Sequence, residues 1–75
     1  MPSTEDLKQR IEAAIPGSQA EVTDLTGGGD HFRATVVAPE FSGLTRLAQH
    51  RRVYDVFGAE IGGAIHALSL QTRAE

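Results

Sequence analysis

No cysteine occurs in the 75-residue chain. This excludes disulfide staples, a thiol nucleophile and any metal site built of thiolates alone, and it agrees with a cytoplasmic setting. Long apolar runs are missing too. The longest stretch without Asp, Glu, Lys or Arg, Ile61 to Thr72, is 12 residues, against the roughly 20 that a membrane-spanning helix needs. No basic-then-apolar leader pattern opens the chain, so it reads as soluble and unexported. Positive charge is also in deficit: the net charge is −3 with histidine neutral, which argues against a dedicated nucleic-acid binder, whose footprint is basic. A chain this short makes one domain, residues 1–75, that buries only about 60% of its extended surface. Repeats, linkers and low-complexity tracts are absent.

Several chemistries are excluded by spacing. A glycine loop that cradles phosphate needs a helix behind it, whereas Thr26-Gly27-Gly28-Gly29-Asp30-His31-Phe32 leads into a β-prone run. No GxSxG elbow is present for a serine hydrolase. Asp30 and His31 are neighbours whose side chains diverge on an extended backbone, a poor dyad. The acids stand where helix caps and solvated faces want them, and no catalytic constellation emerges. The chain is not expected to be an enzyme.

What is present organises as α-β-β-α(α)-β. Ser3, with Asp6 three residues on, opens a helix in an acidic variant of the capping box. Leu7, Ile11, Ala14 and Ile15 form its apolar stripe, and Pro16-Gly17 ends it. Residues 20–25 and 32–38 read as strands of an antiparallel hairpin around the glycines, the second stopped by Pro39. A short turn or 3₁₀ piece over Pro39 to Gly43 leads into a helical pattern reaching from Ser42 to Ile61. Leu47, His50, Val53, Tyr54, Phe57 and Ile61 share one face of it, while Gln49, Arg52 and Asp55 point elsewhere. Gly62-Gly63 breaks the helix, 65–72 is a third strand, and 73–75 a frayed end. Strands two and three, joined through a helix, should run parallel by a right-handed crossover. The fold expected is α+β: a three-stranded mixed sheet with helices on one face.

This topology brings two histidines to one rim. His31 opens strand two and His66 opens strand three. Parallel neighbours about 5 Å apart would let the imidazoles approach a common ion. By strand parity with Leu68 and Leu70, His66 should lean, half-buried, towards the helices, while His31 sits at the hinge of a mobile loop. Two imidazoles are half a site, since structural zinc takes four ligands and catalytic zinc three plus water. The alternative for either is a rim residue bonded to backbone, and His50 reads as a packed core histidine. Arg46, Arg51 and Arg52, with no carboxylate between Gly43 and Tyr54, form a basic helix that suits phosphates, an acidic partner protein, or solvent. A GXXG clamp of the KH type is not complete, because Gly43-Leu44-Thr45-Arg46 lacks the second glycine.

The run DHFRATVVAPEFSGLTRLAQHRRVYDVFGAEIGGAIHALSLQT resembles the BolA family, including its IbaG-like branch. The H-F opening of a strand ending in VV, the F-x-G ahead of a helix carrying QHRRVY, and the I-H-A-L-S strand match in order. The resemblance implies an αββααβ fold similar to class II KH domains. It also implies pairing with a monothiol glutaredoxin and a shared 2Fe–2S cluster, the glutaredoxin and its glutathione supplying thiolates and His66 an imidazole. Many members carry a second ligand, Cys or His, in the loop between the first two strands. Here that loop is short and holds glycines, which leaves His31 as the candidate. The expected function is thus an adaptor in iron handling or redox regulation, monomeric when isolated, with Arg46, Arg51 and Arg52 on the docking surface. The alternative is a transcriptional regulator that lays the same helix on DNA or RNA.

Overall fold

The computed structural model describes residues 2–74. Helix α1, Thr4–Ala14, starts where Ser3 accepts the Asp6 amide N–H at 3.0 Å. Glu5 and Asp6 place negative charge on its first turn, where the helix dipole favours it. Leu7, Ile11 and Ile15 are fully buried. Ala14, expected on the same stripe, is exposed, because the stripe follows the i, i+4, i+8 row and not its flank.

Strands β1, Gln19–Asp24, and β2, His31–Val37, pair antiparallel from Gln19–Val37 to Asp24–Phe32. Glu12 fixes the start of β1 by accepting the Ala20 N–H at 3.0 Å. After β2 the chain makes a 3₁₀ turn, Pro39–Phe41, which drives Phe41 into the core. Helix α2, Arg46–Phe57, then crosses back, and strand β3, Ala67–Arg73, runs parallel to β2. The sheet order is β1-β2-β3. Helix α1 lies over β1 and α2 over β3, so one sheet face is covered. Phe32, Ala34, Val36 and Leu68 meet Leu7, Ile11, Val53 and Phe57 there. Burying an aliphatic or aromatic side chain of this size contributes about 1.5–3 kcal/mol. None of the described helices is long and apolar enough to cross a membrane.

Helix α2 is shorter than its apolar pattern. Thr45 accepts the Ala48 N–H and starts it at Arg46. Gly58, at φ 56°, ends it four residues before the glycine pair. The face it buries is also turned. Leu47 is 62% exposed, and Gln49 points inward instead. The Gln49 amide donates to the carbonyls of Phe41 and Leu44 and accepts from the Thr72 hydroxyl at 2.7 Å. A glutamine so satisfied can face the sheet without the desolvation cost of an unpaired polar group. Strand β3 continues through Arg73, which had read as part of a frayed end, and Glu75 lies outside the described residues.

Candidate metal centre

The parallel register sets His31 opposite Ala67, and the Ala67 N–H donates to the Asp30 carbonyl at 3.1 Å. The starts of β2 and β3 are thereby tied together. At this rim the His31 and His66 rings lie 4.8 Å apart between centroids, tilted by 46°. His31 alternates with buried Phe32, so it belongs to the face the helices leave open. His66 is exposed, not half-buried against the helices. The reason is that β3 begins at Ala67: His66 precedes the ladder and is free of its parity, while Ile65 fills the buried position.

Two local structures fix the backbone that carries these rings. Around His31, the loop is organised by Asp24. Its carboxylate accepts the amide N–H groups of Thr26, Gly27 and Gly29 at 3.2, 2.9 and 3.0 Å. Gly27 and Gly29 take φ of 80° and 75°, which a side chain would strain. The glycines therefore shape a tethered turn, where the sequence had suggested a mobile hinge. Asp30 stands 3.8 Å from His31, beyond hydrogen-bond reach, so the two form no dyad.

Around His66, the Glu60 carbonyl accepts from Gly63 and Ile65, both at 3.0 Å, and the Gly62 N–H donates to Ile65 at 2.8 Å. This closed turn is fastened to α1 by a two-pronged ion pair. Arg10 Nη1 donates to Glu60 Oε1 at 2.9 Å and Nη2 donates to Oε2. The guanidinium also stacks over Phe57, 4.9 Å from the ring centre. The bond from Arg10 holds the Glu60 carboxyl below its ordinary value. Arg10, Glu60 and Asp24 are thus positioning residues for the rim. A carboxylate followed within a few residues by Thr-Gly-Gly-Gly is a readable turn signal. Arg10 and Glu60, far apart in sequence, carry none.

The remaining candidates spread out. Arg46 and Arg51 are exposed, whereas Arg52 braces the fold by donating to Glu40 at 3.0 Å and to the Ala14 carbonyl at 2.7 Å. His50 is half-buried on a cleft wall beside β3, outside the core. Among the described residues no three His, Asp or Glu side chains gather as a metal site. What the rim offers is two imidazole nitrogen donors facing outward. They fit a group whose other ligands come from a second molecule.

The BolA-like protein family model matches residues 8–75. The human BolA-like protein 1 is 34% identical over 74 residues, covering 89% of this chain and 54% of that one. The chain therefore spans about half the length of that relative. A Vibrio cholerae protein named DNA-binding transcriptional regulator BolA is 41% identical over 46 residues, 61% of this chain and 43% of its own. The solved structure of a BolA homologue from Coxiella burnetii superposes with a TM-score of 0.79 at 42% identity, covering 96% of this chain and 90% of that one.

Proposed function

The chain belongs to the BolA-like family, and from that premise we propose that it is an adaptor, without catalytic activity, that shares a 2Fe–2S cluster with a monothiol glutaredoxin. The observation that carries this reading is the pair of imidazoles 4.8 Å apart at one exposed rim, in a chain with no cysteine. His66 is the principal ligand and His31 the second. The partner and its glutathione provide thiolates. A cluster with imidazole in place of thiolate has a raised potential and a ligand that can take up a proton, both suited to transfer or sensing.

This chain's own contribution is geometric. The Asp24-tethered loop and the Arg10–Glu60 clasp fix the backbone at both histidines before a partner arrives, so less ordering is needed on association. Exposed Arg46 and Arg51 supply charge for docking to an acidic surface, which acts chiefly on encounter rate and register.

The test is anaerobic reconstitution of the chain with a monothiol glutaredoxin, glutathione, iron and sulfide, followed by visible absorption and circular dichroism. A spectrum distinct from that of the glutaredoxin alone, lost or altered in His66→Ala, is the expected result. An unchanged glutaredoxin spectrum refutes the reading.

The Vibrio relative's name favours a second function, DNA-binding regulation, on the same helix. Of the three arginines, Arg46 and Arg51 are the ones available to phosphates. If they are used, affinity falls steeply with salt and is lost in Arg46→Ala/Arg51→Ala, while His66→Ala leaves it intact.

A further inference from the structure

Strand β3 is an edge of the sheet, and successive residues of a strand turn their backbone groups to opposite sides. The Ala67 N–H bonds Asp30, and the Arg73 carbonyl accepts from Ala38, each at 3.1 Å. Ala67, Ser69, Gln71 and Arg73 therefore face β2, and Leu68, Leu70 and Thr72 turn their backbone groups outward. The outward Leu68 carbonyl is taken by the Tyr54 hydroxyl at 2.9 Å, which closes the first part of the edge. Beyond it, Leu70 and Thr72 border a cleft of about 370 Å³ whose other walls are Arg46, His50 and Gln71. Arg46 is exposed and makes none of the ion pairs found among the described residues. Leu47, one residue on, is 62% exposed.

We propose that the edge of β3 from Leu70 to Thr72 accepts an extended acidic segment of a partner protein as a fourth strand. An unpaired strand edge is a template for another chain. Leu70 presents both an N–H and a carbonyl outward, and a peptide main chain answers both at once. A phosphate backbone carries acceptors only and leaves the carbonyl unmet. Side chains of a residue paired with Leu70 lie on the same sheet face as Leu70, the α2 side, where Arg46 and His50 stand. A carboxylate there is matched in charge.

The proposal does not rest on the histidine ligands, although Arg46 is shared with the docking surface proposed above. The histidine rim lies at the start of β3, whereas Leu70 lies at its middle and Thr72 towards its other end. The test therefore uses the full chain alone, without iron or glutaredoxin. A capped peptide alternating Thr and Glu is titrated into nitrogen-15-labelled protein, and the amide resonances of Leu70 and Thr72 are followed. Three comparisons run alongside: the same peptide with Lys for Glu, one with alternate amides N-methylated, and oligothymidylate.

The expected result is a shift of the Leu70 and Thr72 amides with the Glu peptide. Binding should weaken by about tenfold with the Lys peptide or in Arg46→Glu, and vanish on methylation of the ladder amides. The substitution lies on an exposed helix position and leaves folding intact, which the remaining resonances report. Absence of a shift at Leu70 and Thr72, or a shift that survives methylation, overturns the proposal. Shifts from oligothymidylate but not from the Glu peptide overturn it as well and assign the cleft to nucleic acid.

Discussion

The Asp24 carboxylate receives three amide N–H groups from the loop that leads to His31. Its two oxygens divide the work: Oδ1 accepts from Thr26 and Gly27, and Oδ2 from Gly29. Asp24→Asn keeps an oxygen for the first pair and sets an NH₂ against the Gly29 N–H. Asp24→Ala removes all three acceptors. The alanine variant should lose about 1 kcal/mol of stability, the size of ordinary hydrogen bonds at a wet surface. Amide exchange checks the division. Gly27 and Gly29 should both lose protection in the alanine variant, and Gly29 alone in the asparagine one. At the same level, His31 and His66 were recognisable from sequence as strand-opening residues that a parallel crossover brings to one rim. The exposure of His66 was not, because it depends on whether the ladder begins at residue 66 or 67, and alternation of apolar residues does not resolve one position.

Between elements, the link that matters for the rim is the clasp of α1 on the turn before β3. Arg10 holds Glu60, and the Glu60 carbonyl in turn holds Gly63 and Ile65. The Glu60 carboxyl is held below its ordinary value of 4.5, first by the bond from Arg10 and then by its charge. A carboxylate whose folded value is depressed stabilises the fold above its unfolded value and loses that contribution as pH falls through the folded one. The turn should therefore loosen only as pH drops below 4.5, and Glu60→Gln should show the loosened turn at neutral pH with this part of the acid response removed. The amide shifts of Gly63 and Ile65 across an acid titration read it directly. Glu12 responds in the same direction, because Lys8 and the Ala20 N–H lower it, so the comparison must be with Glu60→Gln and not with the wild type alone. Helix α1 was legible from Ser3 and the Leu7–Ile11–Ile15 row. The limits and facing of α2 were not: Thr45 competes with Ser42 as a start signal, and Gly58 with Gly62 as a stop signal, each pair of equal chemistry. The inward turn of Gln49 depends on Phe41, Leu44 and Thr72, which only the folded chain brings within reach.

For the molecule as a whole, the order α-β-β-α-β decides what the surface can do. One parallel crossover places both histidines at one end of the sheet and leaves β3 as a free edge. The rim and the edge are separate parts of one small body, joined by Arg46, which both docking readings use. Family membership, visible in the ordered set H-F, F-x-G, QHRRVY and I-H-A-L-S, reaches further than the residues alone, since partner and cluster have no signature in composition or periodicity. The central claim is that an imidazole of this chain ligates iron. It is tested most directly by pulsed electron paramagnetic resonance of the reduced heterodimer, with nitrogen-15 histidine placed in this chain only. The account predicts a strongly coupled nitrogen-15 signal that is lost in His66→Ala, or cut back to the weaker contribution of His31. A reduced cluster with no such coupling, or with one unchanged in that variant, would contradict it.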